Sequence, residues 1–293
     1  MTDGLQVPPL VLDFDASVLP VAPDERRLDM AEWQEAVRFG CTRRVFARLA
    51  TQLRESLPKD YGWVFTGSGD FHHLTLFLLE ELARRRLLPP RSLDVVVCDN
   101  HPDNMRYPFG IHCGSWVWHA ARLACVRHIH VVGITSEDIG LRHAWENHVG
   151  PFWSDRLTYW SIGSRADWLR LVGCGQRGRA FANPDALLCD LLPVLADSER
   201  LYLSIDKDVF AESVVRTNWD QGVFALRHVE AIRAACGGRL VGADITGDVS
   251  AYAYKSLFKR ILSRLDGQEV CAAETLRRWQ SAQQVLNRTL LVL

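Results

Sequence analysis

The chain has 293 residues, of which 48% are hydrophobic and 24% are charged, and its formal net charge is -1. This length suits one large domain, and the balanced charge argues against binding to nucleic acid or to an anionic membrane. The sequence has neither a secretory signal pattern nor a run of about 18 apolar residues that could span a membrane. We therefore expect a cytoplasmic protein whose eight cysteines stay reduced.

Short apolar runs alternate with amphipathic segments along the chain. The run Leu10–Leu12, inside a Pro- and Asp-rich start, predicts an extended arm or an edge strand, and residues 30–56 have helical spacing with a break expected at Gly40. Further strands are predicted at 63–66, 93–98, 128–132, 157–162, 201–205 and 239–245, and helices at 73–86, 115–126, 137–147, 165–172, 184–196, 226–235 and 254–284. This order predicts an α/β fold with a mostly parallel sheet covered on both faces. We expect a single domain over residues 1–293, with an arm and a helix at 1–58.

Acidic and histidine residues follow three of the predicted strands. They are His72 and His73 after the strand at 63–66 and its Gly turn, Asp99, His101 and Asp103 after the strand at 93–98, and Asp206 and Asp208 after the strand at 201–205. Alternate residues of an extended strand share a face, and sites in open parallel sheets form beyond the carboxyl ends of the strands. Carboxylates that meet there repel one another unless a cation neutralises them, so the pattern predicts a metal site.

Two of these segments carry a family resemblance. Asp99-Asn-His-Pro-Asp103 and Ser204-Ile-Asp-Lys-Asp208 resemble the D-x-H-x-D and S-x-D-x-D motifs of the arginase/agmatinase/formiminoglutamase family, the ureohydrolases. Gly69–Leu74 is similar to the family's G-G-D-H-S-L with one residue inserted, and Gly110–His112 is similar to its histidine segment. The resemblance covers roughly residues 60–250 and implies a three-layer α/β/α sandwich.

The resemblance also implies a dinuclear manganese centre. One Mn²⁺ would be held by His72, Asp99, Asp103 and Asp206, and the other by His101, Asp99, Asp206 and Asp208. Carboxylate and imidazole ligands suit Mn²⁺, and two such ions can lower the pKa of a shared water to give a bridging hydroxide. In this interpretation Asp103 orients the hydroxide and His112 relays a proton. His72 is favoured over His73 as the ligand, although the inserted Phe71 leaves the register open.

The substrate region departs from the family pattern. The family's Asp-Pro after S-x-D-x-D is missing, and Gly247 stands where a glutamate would contact a guanidinium, which leaves Asp244 and Asp248 as the nearest carboxylates. The remaining candidate substrate contacts are Arg106 in the loop from Asp103 to His112, and Asn218 and Asp220 in the loop 217–222. Lys207, between two proposed ligands, is expected to point away from the metals and to pair with a carboxylate. The sequence therefore predicts a substrate other than plain arginine.

Three hypotheses follow for the function. The first is a dinuclear Mn-dependent hydrolase that cleaves a C–N bond in a small guanidino, amidino or formimino compound. The second is a metal-dependent amide hydrolase, like the deacetylase relatives of this sandwich, which typically use one zinc ion. The third is a non-catalytic metal-binding homologue. By analogy with the family, a homo-oligomer is expected.

Overall fold

Nine parallel strands form the centre of the molecule. The computed structural model describes residues 7–257, 259–260 and 272–292. Within them the strands are β1 Leu10–Asp13, β2 Arg26–Asp29, β3 Gly40–Cys41, β4 Val64–Gly67, β5 Leu93–Cys98, β6 Ile111–His112, β7 Val126–Ile134, β8 Leu157–Ile162, β9 Gly178–Phe181, β10 Leu201–Asp206 and β11 Leu240–Thr246. The large sheet has the order β2-β1-β4-β11-β10-β5-β7-β8-β9, and β3 pairs with β6 in a separate small sheet. Every pairing in the large sheet is parallel, which confirms the predicted fold class.

Helices cover both faces of this sheet. Among the described residues the α-helices are α1 Gln34–Val37, α2 Arg43–Ser56, α3 Leu74–Arg86, α4 Trp116–Ala120, α5 Gly150–Trp153, α6 Trp168–Leu171, α7 Pro184–Ala196, α8 Leu226–Cys236 and α9 Ala273–Val292. Because side chains alternate along a strand, β5 directs Val95 and Val97 into one hydrophobic cluster and Val96 and Cys98 into another. The first cluster includes side chains of α2, α3 and α4, and the second includes side chains of α7, α8 and α9. The molecule is thus a three-layer α/β/α sandwich.

The N-terminal part of the chain differs from the prediction. Leu10–Asp13 is neither an arm nor an edge strand, because it lies inside the sheet between β2 and β4. The edge is instead the charged strand Arg26–Asp29, which the prediction missed because the segment has no apolar run. The break at Gly40 is confirmed, since Gly40–Cys41 forms β3 between α1 and α2.

Several helices also differ from their predicted bounds. The segment 137–147 forms two 3-10 helices, Glu137–Ile139 and Leu141–Glu146, and the helices predicted at 115–126 and 165–172 shorten to α4 and α6. Of the helix predicted at 254–284, residues 258 and 261–271 lie outside the described residues, and α9 begins at Ala273 and ends at Val292. Gly178–Phe181 is a second unpredicted edge strand.

Two expectations from composition can be compared with the described residues. None of the helices within them combines the length and the apolar character that a membrane crossing requires. The seven described cysteines are all free thiols, and all of them except Cys189 are buried. Cys271 lies outside the described residues.

Candidate metal centre

The six predicted ligands come together at one edge of the sheet. His72, Asp99, His101, Asp103, Asp206 and Asp208 all line a single cavity of about 660 Å³. Strands β4, β5 and β10 are parallel members of one sheet, so the segments that follow them emerge at the same edge. The order of the strands therefore explains why residues more than a hundred positions apart in sequence meet here.

His72 lies among three carboxylates on one side of the cavity. Its Nδ1 is 2.9 Å from Asp103 Oδ2, 3.2 Å from Asp99 Oδ2 and 3.5 Å from Asp206 Oδ2. On the opposite side of the ring, Nε2 is 3.0 Å from Ser204 Oγ. The Ser204 hydroxyl donates to Asp244, so it accepts from Nε2–H. A neutral His72 therefore turns the lone pair of Nδ1 toward the carboxylates.

His101 repeats this arrangement on the other side of the cavity. Its Nδ1 is 3.0 Å from Asp208 Oδ2 and 3.6 Å from Asp99 Oδ1. Its Nε2 donates to Asp220 Oδ1 at 2.8 Å. A hydrogen bond from the outer nitrogen to a carboxylate is the usual way in which a metal-binding histidine is oriented. His101 therefore also directs Nδ1 toward two acidic side chains.

Local backbone structure, and not strand alternation, positions the aspartates. Strand β5 ends at Cys98, and Asp103 adopts a left-handed backbone conformation with φ of 46°. The indole of Trp116 donates to Asp103 Oδ2 at 2.6 Å, and the backbone N–H of His101 donates to Asp99 Oδ1 at 2.6 Å. Asp208 lies in a 3-10 turn, and its own backbone N–H donates to Asp206 Oδ1. Asp99, His101 and Asp103 therefore do not share a strand face as predicted, because they lie beyond the end of β5, although their side chains do line one cavity.

The protonation equilibria of these groups reflect crowded negative charge. Burial raises the pKa of Asp103 to about 7 and that of Asp206 to about 6, and neighbouring carboxylates add to both shifts. Burial and the charges of Asp206 and Asp99 raise the pKa of Asp208. Burial would also raise the pKa of Asp99, but hydrogen bonds from His101 and His72 outweigh burial and hold this pKa below the usual range. Without cations, protons would have to supply the missing positive charge.

The donor set fits two divalent cations. One group of ligand atoms comes from His72, Asp99 and Asp103 and another from Asp99, His101 and Asp208, and within each group all atoms lie within 4.8 Å of one another. Asp99 belongs to both groups. Carboxylate oxygens with one imidazole nitrogen per group favour a hard or borderline ion such as Mn²⁺. Both imidazoles direct Nδ1 toward the carboxylates, and this is the atom that would bind a metal ion.

The geometry also distinguishes His72 from His73. His73 is fully buried but does not line the cavity, and its ring faces Phe46 at 6.4 Å between centroids. Burial, followed by the nearby His112 and Lys259, lowers the pKa of His73. Of the two histidines, only His72 lies among the acidic side chains.

His112 lines the same cavity as a neutral imidazole. The backbone N–H of Gly114 donates to His112 Nδ1 at 2.9 Å, which places the ring proton on Nε2. Burial lowers the pKa of His112 to about 3. Its ring stacks on Tyr107 at 4.9 Å and meets Phe39 edge-on at 4.4 Å. These contacts fix the ring, so Nε2–H is a directed hydrogen-bond donor at neutral pH.

Acidic residues that the sequence reasoning missed form another part of the cavity lining. They belong to the segment 136–146, and those lining the cavity are Glu137, Asp138 and Glu146. This segment follows the carboxyl end of β7, so the rule that predicted the candidate metal ligands could have predicted it too. The cavity therefore has carboxylates beyond those of the metal centre.

The predicted substrate residues are divided among different places. Asp220 lines the cavity beside His101, whereas Asn218 is mostly buried and accepts a hydrogen bond from the backbone of Ser250. Arg106 lines a neighbouring cavity. Its Nε donates to the carbonyl of Asn147.

Asp244 and Asp248 do not line the metal-centre cavity. Asp244 accepts hydrogen bonds from Thr75, Ser204 and Tyr202. Asp248 pairs with the amine of Lys207 at 2.7 Å, and both side chains are fully buried. Lys207 thus points away from the proposed ligands, as predicted. The prediction that Asp244 and Asp248 contact a substrate has no support in this geometry, because each carboxylate is engaged inside the protein.

Comparisons with known proteins give distant similarities. No family model matches the chain. An uncharacterized protein of Thermotoga maritima is 27% identical over 198 residues, and the alignment covers 67% of this chain and 62% of that relative. The chain thus spans less than two thirds of the relative's length.

Among solved structures, the chain is similar to formimidoylglutamase from Bacillus subtilis, with 11% identity, coverage of 95% and 87% of the two chains and a TM-score of 0.49. It is also similar to arginase from Entamoeba histolytica, with 14% identity, coverage of 84% and 74% and a TM-score of 0.44. Both matches carry names of the group that the sequence motifs resemble.

Proposed function

We propose that the chain is a dinuclear metal hydrolase that splits a C–N bond in a guanidino, amidino or formimino compound, with Mn²⁺ as its cation. The observation that carries the proposal is the pair of ligand groups that share Asp99. A single-cation site needs only one such group, so the second group favours a dinuclear centre over the mononuclear zinc site of an amide hydrolase. Two divalent cations would supply Lewis-acid chemistry and make water nucleophilic near neutral pH.

Three acidic side chains of the cavity lining would bind a cationic substrate. Glu137, Asp138 and Glu146 line the cavity together with the ligands. Amidines and guanidines are positively charged and planar, and carboxylates bind them through paired hydrogen bonds. In this proposal the three acidic residues replace the carboxylate that the sequence lacks at Gly247.

His112 would serve the leaving nitrogen. Breaking a C–N bond requires a proton on the departing nitrogen. The attacking water would supply that proton, and the Nε2–H of the neutral His112, which the stacked ring and the bond from Gly114 orient, would donate a hydrogen bond to the substrate. In this role His112 would hold a hydrogen-bond donor near the scissile bond. Asp220 would keep the ring of His101 in the tautomer that carries its proton on Nε2.

The proposal is tested by metal content and by turnover together. The protein is stripped with a chelator, reloaded with Mn²⁺ and assayed for urea, ammonia or formamide release from a panel of guanidino, amidino and formimino compounds. We expect two ions per chain and activity that chelation removes. As a matched control, Asp24→Asn changes an exposed aspartate away from the cavity and should keep both properties. One ion per chain with release of acetate from acetylated amines would favour the amide hydrolase, and metal binding without any turnover would favour a non-catalytic homologue.

A further inference from the structure

A second cavity lies beside the metal-centre cavity. It has a volume of about 710 Å³, and Met105 lines both cavities. Its side chains come from the start of α2, from the loop before His112, from α4 and from the segment 145–148. We call it the basic cavity after four of its lining residues, Arg43, Arg106, His119 and His148.

The two cavities carry opposite charge. Eight carboxylate side chains line the metal-centre cavity, namely Asp99, Asp103, Asp138, Asp206, Asp208, Asp220, Glu137 and Glu146. The basic cavity contains no acidic residue among the described part of the chain. A molecule that extends from one cavity into the other past Met105 would therefore pass from a negative to a positive environment.

The two arginines of the basic cavity are available to a ligand. Both are exposed, and neither forms an ion pair with a carboxylate within residues 7–257, 259–260 and 272–292. Arg106 donates from Nε to a backbone carbonyl, which fixes one side of its guanidinium. An arginine without a carboxylate partner can bind an anion through two parallel hydrogen bonds.

Burial and nearby arginines together lower the pKa of both histidines in the basic cavity. Burial lowers the pKa of His119 to about 4, and Arg43 and Arg122 contribute to the shift. Burial likewise lowers the pKa of His148 to about 4, with contributions from Arg106 and Arg122. Both rings are therefore neutral at pH 7. The positive charge in and around the cavity at that pH comes from the arginines.

The rim of the basic cavity is aromatic. Trp145 is 72% exposed and Phe109 is 58% exposed, and both line the cavity. Large exposed aromatic side chains next to arginines are typical of binding surfaces. They offer apolar contact to the carbon skeleton that would join the two ends of a bound molecule.

From this pairing of cavities we infer that Arg43 and Arg106 form a subsite for an anionic group at the far end of the substrate. The inference rests on the proposed function. The substrate class is then a guanidino, amidino or formimino compound with a carboxylate or phosphate at its far end and no amino group there, because the arginines repel an ammonium. An α-amino acid such as arginine would bring an ammonium into that positive field.

The test compares guanidino or formimino compounds of equal length that end in a carboxylate, a phosphate, a neutral amide or an amine. For the Mn²⁺-loaded protein we expect the compounds with an anionic end to have the highest kcat/KM. In Arg43→Gln and in Arg106→Gln, KM for the carboxylate compound should rise about tenfold with little change in kcat, while KM for the amide stays within about twofold. Comparing kcat/KM for the carboxylate compound and the phosphate compound shows which of the two anions the subsite prefers.

Arg44→Gln is the matched control, because Arg44 is exposed next to Arg43 and lines neither cavity. Equal kcat/KM for the anionic and amide compounds would overturn the inference and leave the proposed function intact. The inference would also be overturned, with the proposed function intact, if Arg43→Gln and Arg106→Gln raise KM no more than Arg44→Gln does. Failure to hydrolyse every compound of the series would instead overturn the proposed function.

Discussion

Asp99 is the residue on which both halves of the candidate metal centre depend. It supplies an oxygen to each three-residue group, whereas His101 belongs to one group only. We expect Asp99→Asn to abolish binding of both cations, and His101→Asn to weaken mainly one. Isothermal titration of Mn²⁺ into the stripped variants would count the remaining sites. Retention of two tight sites in Asp99→Asn would contradict a shared ligand.

Glu81 gives a pH-dependent contribution to stability that is independent of the metal centre. Hydrogen bonds from Arg84 are the largest cause that lowers the pKa of Glu81 to about 2, and Arg85 adds to the effect. Because the unfolded chain has the higher pKa, this stabilisation is present above about pH 5 and is lost as the pH falls toward 2. We expect Glu81→Gln to lower the free energy of unfolding by about 1 to 2 kcal/mol at pH 7, after allowance for the solvent exposure of Arg84.

The measurement is urea unfolding of the wild type and Glu81→Gln at several pH values between 3 and 7. The difference between the two proteins should shrink below about pH 4.5. Glu55→Gln, an exposed glutamate on the neighbouring helix α2, provides the control. A difference that stays constant over this range would show that the carboxylate charge is not the cause.

The sequence predicted which residues would meet, but not how each side chain would be directed. Apolar runs such as Leu93–Cys98 predict strands. The residue that follows a strand lies near the site for any conformation of the next loop, because the carboxyl ends of parallel strands meet at one edge of the sheet. The direction of Asp103 depends on its left-handed backbone and on the indole of Trp116, which no local pattern encodes. The same limit applies to Asp244 and Asp248, whose partners are distant in sequence.

Helix α9 holds the segment that carries Asp206 and Asp208. Its Asn287 accepts a hydrogen bond from the Lys207 amine at 2.9 Å and donates to Asp248 at 3.0 Å. Its Gln283 donates to the carbonyl of Gly247. Gly247 has φ of 87°, and a Cβ there would lie 2.5 Å from Asp206 Oδ1. The contacts of one helix thus fix the backbone beneath two proposed ligands.

The contribution of the buried ion pair between Lys207 and Asp248 to stability can be tested. Lys207→Met leaves a carboxylate buried without its cation, so we expect the free energy of unfolding to fall by about 3 to 5 kcal/mol. The double variant Lys207→Met, Asp248→Asn should lose less free energy of unfolding than Lys207→Met alone, because the amide removes the uncompensated charge. Chemical unfolding of the two single variants and the double variant measures the coupling. Simple additivity would show that the pair does not interact.

Strands and helices were predicted correctly where the local sequence determines them. They were missed where pairing with a neighbouring strand determines them. The buried strands β5, β8 and β10 are rich in apolar residues, and α7 and α8 have clear helical spacing. Arg26–Asp29 and Gly178–Phe181 are strands only because a neighbouring strand supplies hydrogen-bond partners at each edge. These two four-residue segments contain no apolar run that would indicate a strand, so these edges could not be predicted.

At the scale of the whole molecule, cation binding should be coupled to stability. The ligands come from segments after β4, β5 and β10, so ions that bind only the folded chain oppose its unfolding. At a free Mn²⁺ concentration about 100 times the Kd, one site adds about 2.7 kcal/mol. We expect a higher Tm with Mn²⁺ than with a chelator, and no such response in Asp99→Asn. Superimposable melting curves for the wild type under both conditions would contradict this coupling.

The position of β11 in the middle of the sheet has a consequence for synthesis on the ribosome. β11 pairs with β4 on one side and with β10 on the other, so Val64 finds its neighbour Asp244 only after the strands between them in the sequence have been made. Pairing across so long a stretch of chain is slow. Until then the nascent chain exposes an unpaired edge of β4, which makes it a natural client for chaperones during translation.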